Sequence, residues 1–316
     1  MTLRVGPVAI EVPATSANLG PGFDSLGLAL ELRDRYTAEI VPGSAGLAGT
    51  IRDVRVEVIG EGAGGGVGLG ADNLVARAVA AGLAFLGEEQ PATLRLRCEN
   101  RIPHGRGLGS SSAAVVGGIA LARALSDRGE RVLDDAAAIA LASELEGHPD
   151  NAAPAVLGGA TVAWTADGGG GCGVRVAVAP ELVALVAIPA GALSTSTARG
   201  LLPAEVPMAD AVFNVSRAAL LVHALGRAPE LLVEATADRL HQDRRQSAYP
   251  LSHALVADLR AAGFAAAISG AGPSVVVVAP AAAVDRAAEQ AASLVAAGWV
   301  LEQLEVAAEG VRAAPA

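Results

Sequence analysis

Between Pro103 and Ala113 the chain reads PHGRGLGSSSA. Gly105, Gly107 and Gly109 alternate, and Ser110, Ser111 and Ser112 lead from them into a long apolar run. Glycine lets backbone N–H groups come close to an oxyanion. A helix starting at the serines would aim its positive end and its free N–H groups at the same point. Serine hydroxyls there can cap the helix, bind phosphate or ligate Mg²⁺. The chemistry expected is the holding of a phosphate chain; a plain loop with a serine N-cap is the simpler alternative. The GK[ST] ending of a Walker A loop is missing. The chain has no lysine at all, which removes Schiff-base chemistry as well.

Two further stretches hold polar groups in tight turns. VPATSANLGPGFDSLGLAL (Val12–Leu30) sets Thr15, Ser16, Asn18 and Asp24 between strands. ISGAGPSVVVV (Ile268–Val278) turns through Gly270 and Gly272 between apolar strands. Either alone is weak, because glycine turns between strands are common. GEGAGG (Gly60–Gly65) follows a strand and fits GxGxxG, but a dinucleotide fold would begin its helix inside that motif. Here the glycines run on to Gly70, so a floppy loop is expected instead. Cys98 and Cys172 lie outside any CxxC spacing, and the five histidines form no HxxxH pair. Neither a disulfide framework nor a thiolate zinc site is expected.

The elements that must position these residues follow from periodicity. Strands are expected at Val5–Val12, Leu26–Val41, Val54–Ile59, Thr93–Glu99, Ala160–Thr165, Val174–Val178 and Leu182–Ile188, then near Phe264–Ile268, Val275–Val278 and Trp299–Val306. Helices are expected from a cap at Asp72 or Asn73 through Leu86, from Ser110 to about Ser126, and over Leu133–Leu145. Four more fall near Ala209–Leu225, Leu231–Ala235, Leu251–Ala262 and Ala281–Ala297. Strands and helices mix without strict βαβ alternation, so the class is α+β. A length of 316 residues suits two domains, and Asp167–Gly173 (DGGGGCG) is the candidate boundary or wide hairpin, giving 1–166 and 167–316. The net charge of −10 argues against a nucleic-acid surface. No apolar run reaches the roughly 18 residues of a membrane span, and the start lacks the pattern of a signal peptide. A cytoplasmic protein with no membrane or nucleic-acid partner is expected.

Taken together and in this order, the stretches at Val12–Leu30, Pro103–Ala113 and Ile268–Val278 resemble the three signature motifs of the GHMP kinases, a family that includes galactokinases, homoserine kinases and mevalonate kinases. The resemblance covers nearly the whole chain. Several details resemble the homoserine kinase branch: PATSANLGPGFDSLGLAL, PHGRGLGSSSAA, ELEGHPDNAAPAVLGG (Glu144–Gly159), STSTAR (Ser194–Arg199) and LHQDRR (Leu240–Arg245). The resemblance implies a two-domain fold, with an S5-domain-2-like N-terminal domain and a ferredoxin-like C-terminal domain. It also implies transfer of the γ-phosphoryl group of ATP, with Mg²⁺, to the side-chain hydroxyl of L-homoserine. ATP would be held by Pro103, His104, Gly105, Arg106, Gly107, Leu108, Gly109, Ser110, Ser111, Ser112 and Ala113, with Asn73 and Thr195. Ser111 and Glu144 would ligate Mg²⁺. Asn18, Asp24, His148, Asn151, Arg199, Arg245, Gly270 and Gly272 would meet the substrate, with Asp24 on its ammonium and the arginines on its carboxylate. The family often has an aromatic residue where this chain has Arg244, which leaves Arg244 and Arg245 both open. Asp150 is a catalytic base or a group that orients its neighbours. Other readings are a GHMP kinase for mevalonate, shikimate or a sugar, and a nucleotide-binding regulator without catalysis. A homodimer is among the assemblies expected.

Overall fold

Leu94, Leu96, Cys98 and Asn100 are buried while Arg95 and Arg97 between them are exposed. This period-two alternation makes Thr93–Asn100 a strand with one face on a core and one in water. The same logic runs through the first half of the chain. In a computed structural model, which describes residues 3, 4, 6–41, 51 and 53–316, the order is β1 (Val8–Ala17), β2 (Leu26–Val41), β3 (Asp53–Gly60), α1 (Leu74–Phe85), β4 (Thr93–Asn100), α2 (Ser110–Leu125), α3 (Gly129–Val132), α4 (Asp135–Glu146), α5 (Ala152–Leu157), β5 (Ala160–Thr165) and β6 (Gly171–Val176). Then follow β7 (Leu182–Ile188), α6 (Thr195–Gly200), α7 (Met208–Arg227), α8 (Leu232–Ala235), α9 (Pro250–Ala261), β8 (Ala266–Ile268), β9 (Val275–Pro280), α10 (Ala281–Leu294), β10 (Val300–Glu305) and β11 (Arg312–Ala314). Val5, where the first strand was expected to begin, lies outside the described residues. That strand runs on through Pro13 to Ala17, with its register shifting between Pro13 and Ala14.

The larger sheet has the order β11-β1-β2-β4-β3, with β5 on β2 and β6 on β5. It is antiparallel except where β3 meets β4. Helices α1, α2, α4 and α5 cover its inner side. Gly118 lies against Ala78, and Gly82 against Ala122, so α1 and α2 approach closely. The smaller sheet is antiparallel, with order β10-β7-β9-β8. Strand β7, LVALVAI, is apolar throughout because both its faces are covered. Ala184, Val186 and Ile188 join the main core, whereas Leu185 and Ala187 join a second core beneath α9 and α10. A β7-helix-β8-β9-α10-β10 sequence in that strand order is the ferredoxin-like arrangement.

Of the two readings of Asp167–Gly173, boundary or wide hairpin, the structure shows the hairpin. Asp167–Gly170 is the turn of a hairpin, since β6 pairs β5 within the larger sheet. The first unit extends to Val176, and the C-terminal strand β11 returns to pair with β1. Among the described residues one helix, α7, is long and apolar enough to cross a membrane by length and composition alone. Here its Asn214 donates to Asp238 and to the Pro21 carbonyl, and Leu221, Ala224 and Leu225 are buried.

Candidate active site

The three turn motifs meet at one serine. Ser269 Oγ donates to the Gly107 carbonyl at 2.6 Å and lies 2.8 Å from Ser16 Oγ. Gly270 N–H donates to the Ala17 carbonyl, and Asn18 Nδ2 donates back to the Gly270 carbonyl at 2.8 Å. The side chain of Asn18 also accepts from Asp24 N–H at 3.0 Å, which pins the turn that carries Asp24. Asn18, Leu19 and Asp24 all have positive φ, so this turn is held in a conformation that only tight contacts sustain. The phosphate-loop candidate is anchored at its entry by buried Asp34, which accepts from Arg101 N–H, Ile102 N–H and Tyr36 OH at 2.6, 2.8 and 2.8 Å. Burial raises the Asp34 pKa, opposed by those same donors.

The loop ends at Gly109, which is the N-cap of α2 at φ 70 and offers no side-chain cap. The serine N-cap alternative therefore fails: Ser110, Ser111 and Ser112 are the first helical residues, and their N–H groups are left for a ligand. A cleft of about 440 Å³ opens in front of them. Gly105, Gly107, Gly109 and the three serines form one wall; Asn18, Phe23, Asp24, Arg199 and Arg245 form another. His148, Asp150, Asn151, Thr195, Gly270 and Gly272 also reach it. A second cleft of about 320 Å³ shares Ser110 and Ser111 and is bounded by Tyr36, Gly66, Gly68, Asn73, Cys98 and His104. The glycine run taken for a floppy loop is thus a wall of this cleft. Asn73 caps α1 through its Oδ1, at 3.0 Å from Val75 N and 3.3 Å from Ala76 N.

Several assigned residues do not reach the cleft. Glu144 is exposed and points away, because two residues along a helix is a rotation of about 200°. Glu146 takes its place, and its two carboxylate oxygens accept from Ser111 and Ser112. The spacing from those serines to the end of α4 is the only sequence signal that could have found it. Leu108 and Ala113 are buried in the core. Arg106 is turned away to the carbonyls of His104, Pro189 and Ala190, and Pro103 lines neither cleft.

The remaining polar groups form two sets. Thr15 Oγ1 donates to Asn151 Oδ1 at 2.8 Å, Asn151 Nδ2 donates to Asp150 Oδ1 at 3.2 Å, and His148 Nδ1 lies 2.7 Å from the same oxygen. The Asp150 hydrogen bond raises the His148 pKa, with burial opposing it. In the second set, Arg199 grips Asp24 with both terminal nitrogens, at 2.8 and 2.9 Å. Arg245 is 2% exposed, and among the described residues its guanidinium has only the Ala198 carbonyl as a hydrogen-bond partner, at 3.0 Å from Nε. Burial lowers its pKa. Arg244 instead turns to Asp210 at 3.6 Å, so of the two arginines left open it is Arg245 that faces the cleft. Phe23, which the sequence reading passed over, lies 5.8 Å from the Arg199 guanidinium and 5.2 Å from that of Arg245, and stacks on His241.

The description "GHMP kinases N terminal domain" matches residues 73–159, and "GHMP kinases C terminal" matches 216–297. A homoserine kinase of Streptomyces avermitilis is 47% identical, over 99% of this chain and 97% of that protein. The chain belongs to the GHMP kinase family. The first match spans Pro103–Ala113, Glu146 and Asp150. Among solved structures, one described as a homoserine kinase from Listeria monocytogenes is 33% identical with a TM-score of 0.75, covering 98% of this kinase and 99% of that chain. A homoserine kinase from Cytophaga hutchinsonii has a TM-score of 0.81 at 24% identity, covering 98% and 97%, and shares the fold.

Proposed function

We propose that this kinase transfers the γ-phosphoryl group of ATP to the side-chain hydroxyl of L-homoserine. The observation that carries the reading is Arg245, a buried arginine without a carboxylate partner among the described residues, set beside Arg199 and Asp24 and across one cleft from the phosphate cradle. Arginine pairs suit a carboxylate, and Asp24 suits an ammonium group. The names of the relatives agree with it.

The triphosphate would lie along Gly105–Ser112, against the free N–H groups of α2, and the nucleoside in the second cleft beside Asn73 and His104. Glu146 with Ser111 and Ser112 offers hard oxygen donors that fit Mg²⁺, which would neutralise charge on the phosphates. The substrate hydroxyl oxygen forms the new bond to the γ-phosphorus as the bond to ADP breaks, and positioning carries most of the rate. Asp150 is read as an orienting group: one of its oxygens already accepts from Asn151 and faces His148. The hydroxyl proton then leaves with the transferred phosphate. The kinase is read as cytoplasmic; a homodimer is one candidate assembly, to be tested by analytical ultracentrifugation.

An ADP-release assay over homoserine, mevalonate, shikimate and galactose tests the reading. Homoserine should exceed every other acceptor by kcat/KM. A better acceptor of another class would replace the reading with a different GHMP kinase, and ATP binding with no turnover on any acceptor would favour a regulator.

A further inference from the structure

His241 is 0% exposed and does not line the cleft; it sits in the segment between α8 and α9. Its Nε2 lies 2.8 Å from the Gly20 carbonyl, which can only accept, so Nε2 carries the proton of a neutral ring. Burial lowers its pKa, against the raising effects of Asp238 and of the Gly20 bond. The other ring nitrogen, Nδ1, has no hydrogen-bond partner among the described residues. A buried polar ring with one nitrogen unpaired carries a desolvation cost that plain filling of a core does not require. What the ring offers beyond its donor is a face. It stacks on Phe23, with centroids 5.1 Å apart and planes 29° from parallel. Phe23 in turn lines the cleft, with the Arg245 guanidinium 5.2 Å and the Arg199 guanidinium 5.8 Å from its ring centroid.

The turn that carries Phe23 is gripped just before the ring. Gly20 O accepts from His241, and Pro21 O accepts from Asn214 Nδ2 at 3.3 Å. Asp238 accepts from the same Asn214 amide at 2.8 Å and from the backbone N–H groups of Leu240, His241 and Gln242. It thereby fixes the segment that presents His241. We propose that His241 is a positioning residue for the acceptor: its ring face sets the plane of Phe23 and, through it, the two guanidiniums over that ring, while its Nε2–H bond holds the turn. A guanidinium over an aromatic face follows that face, so a tilt of Phe23 moves the charges that the acceptor meets. His241 itself touches no substrate. The inference rests on the reading of this end of the cleft as the acceptor's.

The two contacts of His241 can be separated by substitution. His241→Gln keeps an N–H within reach of the Gly20 carbonyl and removes the ring. Its melting temperature should stay near that of wild type, while KM for homoserine rises by about 3–10-fold, the worth of one aromatic pair. KM for ATP should stay within about 2-fold of wild type. His241→Phe keeps a ring against Phe23 and loses the donor. It should melt lower than wild type yet hold KM for homoserine within about 2-fold. Phe23→Leu should raise KM for homoserine by itself, and His241→Gln should add little to it, because both remove the same stack. A merely structural His241 would move KM and melting temperature together in both variants. The proposal is overturned if KM for homoserine is unchanged in His241→Gln, if it rises as much in His241→Phe, or if KM for ATP rises equally. Should one variant fail to fold, the other decides alone. If wild type prefers another acceptor, the homoserine reading falls, and the same KM comparisons made with that acceptor still decide the role of His241.

Discussion

Glu146 and Asp150 are the residues whose roles divide most sharply. Glu146 accepts from both Ser111 and Ser112, whereas Glu144 is solvent-exposed. Glu146→Gln should raise the Mg²⁺ concentration for half-maximal rate by about 10–100-fold, read from kcat against Mg²⁺. Glu144→Gln should leave it unchanged. Asp150→Asn should divide its effect between kcat and KM and fall short of the roughly 10²–10⁴-fold kcat loss of a missing general base. A large loss confined to kcat would make Asp150 the base. His148 gives a pH signature. Its pKa is raised in the folded state by the hydrogen bond to Asp150, with burial opposing. A raised pKa means that its stabilisation is fully present below the unfolded value of about 6.5 and is lost as pH rises through the folded value. The melting-temperature gap between wild type and His148→Asn should therefore be widest in mild acid and narrow at alkaline pH.

At the scale of elements, the N-terminus of α2 is the chief device. Its cap is a glycine with positive φ, and a Cβ there would collide with Thr15 Oγ1 and come within 3.2 Å of Asn151 Oδ1. Gly109→Ala should cost about 1–3 kcal/mol in strain and disturb the Thr15–Asn151 bond. Equilibrium unfolding and the KM for ATP should both report it. The end of α4 works by rotation: Glu146 is its last residue, and Gly147 at φ 91 stops the helix there.

Across the whole molecule, the site exists because the glycine turn of β8 and β9 packs on the loop before α2. A Cβ on Gly107 would strike the Ser269 carbonyl and lie 2.9 Å from the Gly272 carbonyl oxygen. Gly107→Ala should push the two units apart at this junction. Its expected mark is a rise in KM for both ATP and acceptor, in contrast to the ATP-weighted effect of Gly109→Ala. A change confined to one substrate would count against the junction as the shared support.

Local periodicity and turn chemistry made Leu26–Val41, Thr93–Asn100, Leu182–Ile188 and the helix at Ser110 legible within a residue or so, because alternating burial and a glycine–serine boundary are written in neighbouring positions. The three polar turns were legible as a set for the same reason. The short α5 and the strand β11 were not, because their residues are held by distant partners: Val311 N–H by Ala155, and β11 by β1. Which glutamate faces the serines, which of two adjacent arginines enters the cleft, and that Asp24 and Arg199 meet at all were decided only by the tertiary structure. Residue type and spacing say what a side chain can bind, but the meeting of Asp24 with Arg199, 175 residues apart in sequence, depends on how the two sheets are docked.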